Sequence, residues 1–282
     1  MDKSVVIKSI AVNGIDINVA LAGSGPALVL LHGFPHTWEL WTKVIPALSQ
    51  NHRVIAPDLR GTGDSSRAAT GFDVATLSSD IRGLLNALDI EKADVTAIDL
   101  GAPIAFYLAL THPELVRRLV LMEAILGDLP RPGAPAGAPP WWFGFHAVPG
   151  FAETVVEGHE KEYIGFFLDI GMVGDGLTPR LRERFIDAYR GTESLRTAFE
   201  FYRAFPTNAR QIDEALAGSR LTVPTLAIGA RPIGAGLHTQ LDPITDDLAG
   251  AVIDCGHIIP LDSPDALLKL MLPFFAGGLH RE

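Results

Sequence analysis

Five short, nearly continuous apolar runs, each closed by turn-forming residues, set the tightest limit on what this chain can fold into: Ala27–Leu31, Arg53–Pro57, Val95–Ile98, Val116–Met122 and Val223–Gly229. They lack the sustained alternation of strands with one wet face. They suit strands covered on both sides, as in a parallel sheet. Helical periods lie between them. Leu77, Ile81, Leu84, Leu85 and Leu88 recur at spacings of three and four behind Asp73, a good N-cap, and Ala102–Thr111 reads as a second helix. Strand alternating with helix predicts an α/β domain. Ahead of it, Val5–Val12 and Ile15–Ala22 flank Asn13-Gly14, a strong hairpin signal. A last strand at Ala251–Asp254 and a helix at Pro264–Phe275 close the pattern.

The alternation stops in the middle of the chain. Gly127–Gly150 holds five Gly and six Pro in 24 residues, together with Trp141, Trp142, Phe143 and Phe145, and reads as a loop. Helical segments follow at Ala152–Leu168, Pro179–Arg190 and Ser194–Ala217, the last interrupted near Pro206. Because strand–helix alternation resumes afterwards, the block is predicted to be inserted into the α/β domain. The expected division is a core of residues 1–125 and 220–282, and a helical cap of residues 126–219.

Composition narrows the function. With 23 Lys+Arg against 33 Asp+Glu, the net charge is −10, which disfavours a nucleic-acid partner. The single cysteine, Cys255, excludes a disulfide framework and a Cys-based zinc site. His32 and His36 are four apart, but Pro35 between them argues against a metal-binding helix. No metal and no cofactor are expected. The first residues lack the apolar run of a signal peptide, and the richest apolar stretch, Val95–Leu110, is broken by Asp99, Gly101 and Pro103. These signs point to a cytoplasmic protein with no membrane partner, acting on a small molecule. A homodimer is compatible with them.

Chemistry concentrates at three strand ends. In Ala97-Ile98-Asp99-Leu100-Gly101, small residues stand two positions either side of Asp99, where a strand gives way to a helix. That spacing permits a sharp turn that exposes the middle side chain. A carboxylate is ionised at neutral pH without help, and it can attack a saturated carbon to give an ester that water can cleave. A serine there would form an ether. An Asp capping the following helix is the plainer reading of the same residue. Cys255-Gly256-His257 follows the last strand, which places an imidazole over the same edge of the sheet, where it could activate water. His32-Gly33-Phe34-Pro35 ends an earlier strand. The N–H groups of Phe34 and Leu100 would together hold a developing oxyanion.

HGFP, x-D-x-G and CGH followed by Pro264-Asp265-Ala266-Leu267 together resemble the α/β-hydrolase superfamily, in its Asp-nucleophile branch of epoxide hydrolases and dehalogenases. The resemblance runs from about Ile10 to Phe275 and includes the cap. It implies the α/β-hydrolase fold: a mostly parallel sheet, helices on both faces and an inserted cap. It also implies a relay acid for His257. Glu123, ending Val116–Met122, is favoured over Asp242. From the cap it implies Tyr202, in Phe199-Glu200-Phe201-Tyr202-Arg203, as the proton donor to an opened epoxide. The second cap donor of such enzymes, a Tyr or His, is replaced by Trp142, an orienting donor that cannot readily give up a proton. Trp141, Trp38 and His32 complete the expected substrate contacts.

Two further departures bear on the reaction. Leu100 stands directly after the nucleophile, where one dehalogenase group has a halide-binding Trp. Leu100 and Pro103 stand where fluoroacetate-type dehalogenases carry basic residues. The expected activity is therefore hydrolysis of an apolar epoxide, aromatic ones included, to a vicinal diol through an ester on Asp99. The alternatives are a dehalogenase of the same branch, or a binding protein or non-hydrolytic cyclase on this fold.

Overall fold

The computed structural model describes residues 5–130 and 139–278. Its first two strands, β1 (Val6–Val12) and β2 (Ile15–Ala22), pair antiparallel across Asn13 and Gly14. Both turn residues have positive φ, 49° and 79°, as a tight hairpin requires. The other strands are β3 (Ala27–Leu31), β4 (Arg53–Pro57), β5 (Ala93–Ile98), β6 (Val116–Met122), β7 (Thr225–Gly229) and β8 (Leu248–Val252). They form one eight-stranded sheet in the order β1-β2-β4-β3-β5-β6-β7-β8, parallel from β4 to β8.

The central runs are buried for the reason expected. Every residue of β3, β5 and β7 is out of water. β8 begins three residues earlier than the predicted Ala251. Its Leu-Ala-Gly-Ala-Val sequence carries little strand signal, and as an edge strand it is half exposed. Helices α1 (Ile45–Leu48), α2 (Val74–Ala87), α3 (Gly101–Thr111), α10 (Gly236–Leu241), α11 (Ile259–Asp262) and α12 (Pro264–Phe275) cover the sheet. Asp73 caps α2 by accepting the Thr76 N–H at 3.1 Å.

Among the described residues, six helices stand between β6 and β7: α4 (Trp141–His146), α5 (Phe151–Val156), α6 (Glu160–Gly171), α7 (Pro179–Ala188), α8 (Thr192–Arg203) and α9 (Phe205–Leu216). Part of the Gly/Pro-rich stretch read as a loop, residues 131–138, lies outside the described residues. Downstream of it the loop expectation fails. Pro140 leads into α4, and the aromatic run Trp141–Phe145 coils so that its rings pack on α6 and α8. α9 starts at Phe205-Pro206, where the proline's missing N–H costs nothing.

These helices are tied to the core at both ends. On one side the Tyr189 hydroxyl donates to the His36 carbonyl at 3.0 Å, and Thr197 to the Gly61 carbonyl at 2.6 Å. Arg184 reaches Glu39 at 2.7 Å and Asp64 at 2.5 Å. On the other side the Asp262 carboxylate accepts the N–H groups of Gly256, at 2.5 Å, of Val173, at 3.2 Å, and of Gly174, at 2.5 Å. The Ile258 N–H donates to the Gly171 carbonyl at 3.0 Å. Among the described residues no helix is long and apolar enough to cross a membrane.

Candidate active site

Asp99 leaves β5 with φ at 52°, a left-handed conformation that costs a non-glycine residue about 1–3 kcal/mol. Its backbone is held there by two bonds. The Asp99 N–H donates to the Met122 carbonyl at 3.2 Å, and its carbonyl accepts from Ala102 at 3.0 Å. Two glycines permit the turn. A Cβ at Gly101 would come within 2.5 Å of the His32 carbonyl oxygen, and one at Gly33 would fall on the Asp99 carboxylate. The side chain is thereby pushed out at the carboxyl edge of the sheet.

The two carboxylate oxygens have different neighbours. Oδ1 accepts the Phe34 N–H at 2.8 Å, and the Leu100 N–H also donates to this carboxylate. Oδ2 lies 3.3 Å from Nε2 of His257. The other ring nitrogen, Nδ1, donates to Oε2 of Glu123 at 2.9 Å. Glu123 is itself in the left-handed region, with φ at 44°, and is almost wholly buried. Its Oε1 accepts the Ala230 N–H from the end of β7. Asp242 opens the short helical turn Asp242–Ile244 ahead of β8, and it is Glu123 that reaches the imidazole.

Electrostatics follow from this packing. Burial raises the Asp99 pKa, but the His257 hydrogen bond and charge, with the Leu100 and Phe34 N–H groups, more than offset it. The net shift is below the usual carboxylate value. Burial pulls His257 down, while hydrogen bonds to Asp99 and Glu123 pull it up more strongly, to about 10. The resting site is an imidazolium between two carboxylates. Cys255, two residues before His257, is buried, and burial pushes its thiol up to about 11, which leaves it unreactive.

Over this site stands Tyr202 of α8, buried, with its pKa raised well above 10 by burial and by the Asp99 charge. It is therefore a protonated donor. The rings around it are His146 at 4.3 Å between centroids, Phe205 at 5.2 Å, Phe143 at 5.5 Å and Phe34 at 5.8 Å. Trp142, expected as the second donor, is partly buried and packs on Trp141, Phe143 and Phe167 instead. Trp141 is 56% exposed on the outer surface of the cap.

His32 differs from the substrate contact expected of it. It is buried, Nδ1 donates to the Gly33 carbonyl at 2.9 Å, and Nε2 lies 3.1 Å from the Leu59 N–H and 3.2 Å from the Thr62 hydroxyl. With both nitrogens engaged, it braces the loop that carries the Phe34 N–H. The Trp38 N–H donates to Asp58 at 2.8 Å, and its ring is half-buried against the core. A small cavity beside the elbow is lined by Phe34, Leu59, Leu100, Tyr189, Ala198 and Phe201, along with His32, Gly33 and Thr62.

The sequence matches the α/β hydrolase fold family over residues 26–232. The chain belongs to that family. It is 32% identical to the soluble epoxide hydrolase of Corynebacterium sp. (strain C12) over 277 residues, covering 94% of this chain and 95% of that one. It is 28% identical to a fluoroacetate dehalogenase of Burkholderia sp. over 291 residues, covering 96% and 94%. The crystal structure of Cfl2 from Burkholderia cenocepacia superimposes with a TM-score of 0.89 at 30% identity, covering 95% of each chain.

In this α/β hydrolase a histidine that no motif singles out packs beside Tyr202. His146 is fully buried beside Tyr202. The sequence does not mark it, because Trp141–Phe145 reads as loop, where helical spacing has no meaning. Once α4 is a helix, residues 142 and 146 share a face, and that spacing is the signal that could have found it.

Proposed function

We propose that the protein is an epoxide hydrolase acting on apolar epoxides, aromatic ones included, through a covalent ester on Asp99. One observation carries this reading: an ionised aspartate at the elbow, with one oxygen on the Phe34 N–H and the other facing His257. A serine-type site would present a hydroxyl there. Oδ2 attacks an epoxide carbon and the ring C–O bond breaks. The Tyr202 hydroxyl gives its proton to the alkoxide.

Esterification removes the Asp99 charge, one of the two that hold the His257 pKa up. The imidazolium then releases its proton, which restores the Tyr202 phenol. The neutral imidazole, oriented by Glu123, takes a proton from water as the oxygen attacks the ester carbonyl. The tetrahedral oxyanion forms at Oδ1, on the Phe34 and Leu100 N–H groups. Its collapse frees a vicinal diol and returns the carboxylate–imidazolium pair. One epoxide and one water are consumed, and all protons balance.

A single turnover in ¹⁸O water tests the ester. The label is expected in the Asp99 carboxylate by mass spectrometry of its peptide, and the first diol carries an unlabelled oxygen. Diol formed with no label in Asp99 would overturn the covalent route.

A second reading, dehalogenation, is supported by the similarity to the fluoroacetate enzyme. A leaving halide needs donors but no proton. Leu100 and Pro103 offer no charge to a haloacid carboxylate, so free halide released from haloacids or haloalkanes in place of diol from epoxides would reverse the order of the two readings.

The proposal includes a cytoplasmic location and a homodimer. On the outer cap face Trp141, Phe151, Phe166 and Ile170 are 41–58% exposed. They leave on the order of 400 Å² of apolar surface, about half of what each partner in a stable dimer covers. Light scattering on the purified chain tests the dimer, and a monomer at micromolar concentration removes that part.

A further inference from the structure

His146 is a buried polar group beside Tyr202 that the scheme above leaves without a task. It lies one helical turn beyond Trp142 on the same face of α4. Its ring stacks flat on Phe199 at 4.2 Å with 17° between planes, and stands edge-on to Tyr202 at 4.3 Å. It is 5.6 Å from Phe34, the residue whose N–H holds the nucleophile. Nε2 lies 2.6 Å from the Tyr163 hydroxyl of α6, and Nδ1 is buried without a protein partner.

An aromatic filler would occupy this space at no polar cost, because a desolvated imidazole with one unpaired nitrogen is unfavourable. Burial and the nearby Arg203 charge keep the ring neutral, with its pKa lowered to about 3. The two contacts of the ring restrict it differently. The Phe199 stack fixes its plane, and the Tyr163 bond fixes its rotation within that plane. The edge presented to Tyr202 is then fixed as well. Tyr202 otherwise touches only apolar rings, Phe34, Phe143 and Phe205, among its aromatic neighbours in the described residues. Those rings can pack a phenol but cannot select its rotation.

We propose that His146, anchored by Tyr163, is a positioning residue that aims the Tyr202 hydroxyl at the opening epoxide oxygen. It touches no reacting atom and acts in the first half-reaction only. The proposal rests on the epoxide hydrolase reading, so its test separates the two. The background is His257→Gln, in which the ester on Asp99 should form and persist, and the rate of ester formation is read by mass spectrometry with a panel of apolar epoxides.

His146→Phe keeps the stack and drops the Tyr163 bond, and Tyr163→Phe removes the same bond from the partly exposed side. Each is expected to slow ester formation about tenfold at saturating epoxide, with half-saturation unchanged. The double variant should be no slower than either single one, and neither change should matter in a Tyr202→Phe background. Melting temperatures should stay within about 3 °C of the parent. Ester formation at the parental rate in both single variants overturns the proposal. So does an equal loss with and without the Tyr202 hydroxyl, which marks a packing role. If the His257→Gln parent forms no ester with any epoxide, the function reading itself fails and takes this one with it.

Discussion

In the core, the groups proposed to react are placed by backbone. Asp99 and Glu123 sit at positive φ on neighbouring strand ends, the proposed oxyanion donors are main-chain N–H groups, and Gly33 and Gly101 are glycines because a Cβ would collide. In the cap, the groups are placed by rings leaning on rings. Tyr202, His146 and Tyr163 belong to three helices and are held by stacking, edge contacts and one hydrogen bond. Backbone placement is stiff and intolerant of one extra carbon. Ring placement is adjustable, because a ring can be exchanged for another of similar volume. The chemistry that such folds share would then reside in the core and the choice of substrate in the cap.

Four substitutions and a titration probe that contrast. Asp99→Asn tolerates the left-handed backbone and so should fold, yet turnover should fall by at least about 10⁴-fold. Appreciable diol formation in this variant would place the nucleophile elsewhere. His257→Gln should cost about 10³-fold or more in steady state while an Asp99 ester accumulates, which intact-mass measurement detects. Gly33→Ala touches no substrate, but it drives a methyl into the nucleophile, and a loss of about 10²–10³ is expected from misaligned oxyanion donors.

Tyr202→Phe, on the cap side, should slow ester formation about 10²-fold and leave ester hydrolysis unchanged, as separated in pre-steady-state traces. Loss in both steps would mean that cap and core do not divide the reaction in this way. The smallest effect is thermodynamic. His257 titrates near 10 when folded, against about 6.5 when free. Its raised pKa contributes stability that is complete below about pH 6.5 and is lost as pH rises through about 10. The stability of the wild type relative to His257→Gln should therefore decline across that window. A gap that widens with pH would mean the imidazolium is not the resting form.

The same contrast explains which parts of the molecule are legible in the sequence. The α/β alternation was visible because doubly covered strands leave little room for polar residues, as in Ala27–Leu31 and Thr225–Gly229. The elbow was visible because its turn forces small neighbours on Asp99. Edge strand β8 was misplaced because Leu-Ala-Gly-Ala-Val carries no such pressure. Ring packing leaves no comparable mark, since an aromatic that lines a site and one that fills a core look alike in sequence. Trp141 and Trp142 stood out and proved peripheral to Tyr202, while His146 hid within a stretch read as loop.

Asp262 gives the molecule a mechanical property. One carboxylate receives N–H groups from Gly256, next to the base, and from Val173 and Gly174, just past α6. The His257 loop and the end of α6 are thus lashed to a common post. Any shift of the end of α6 must either break those bonds or carry the His257 loop with it. A displacement at the end of α6 is therefore felt at the His257 loop through a single carboxylate.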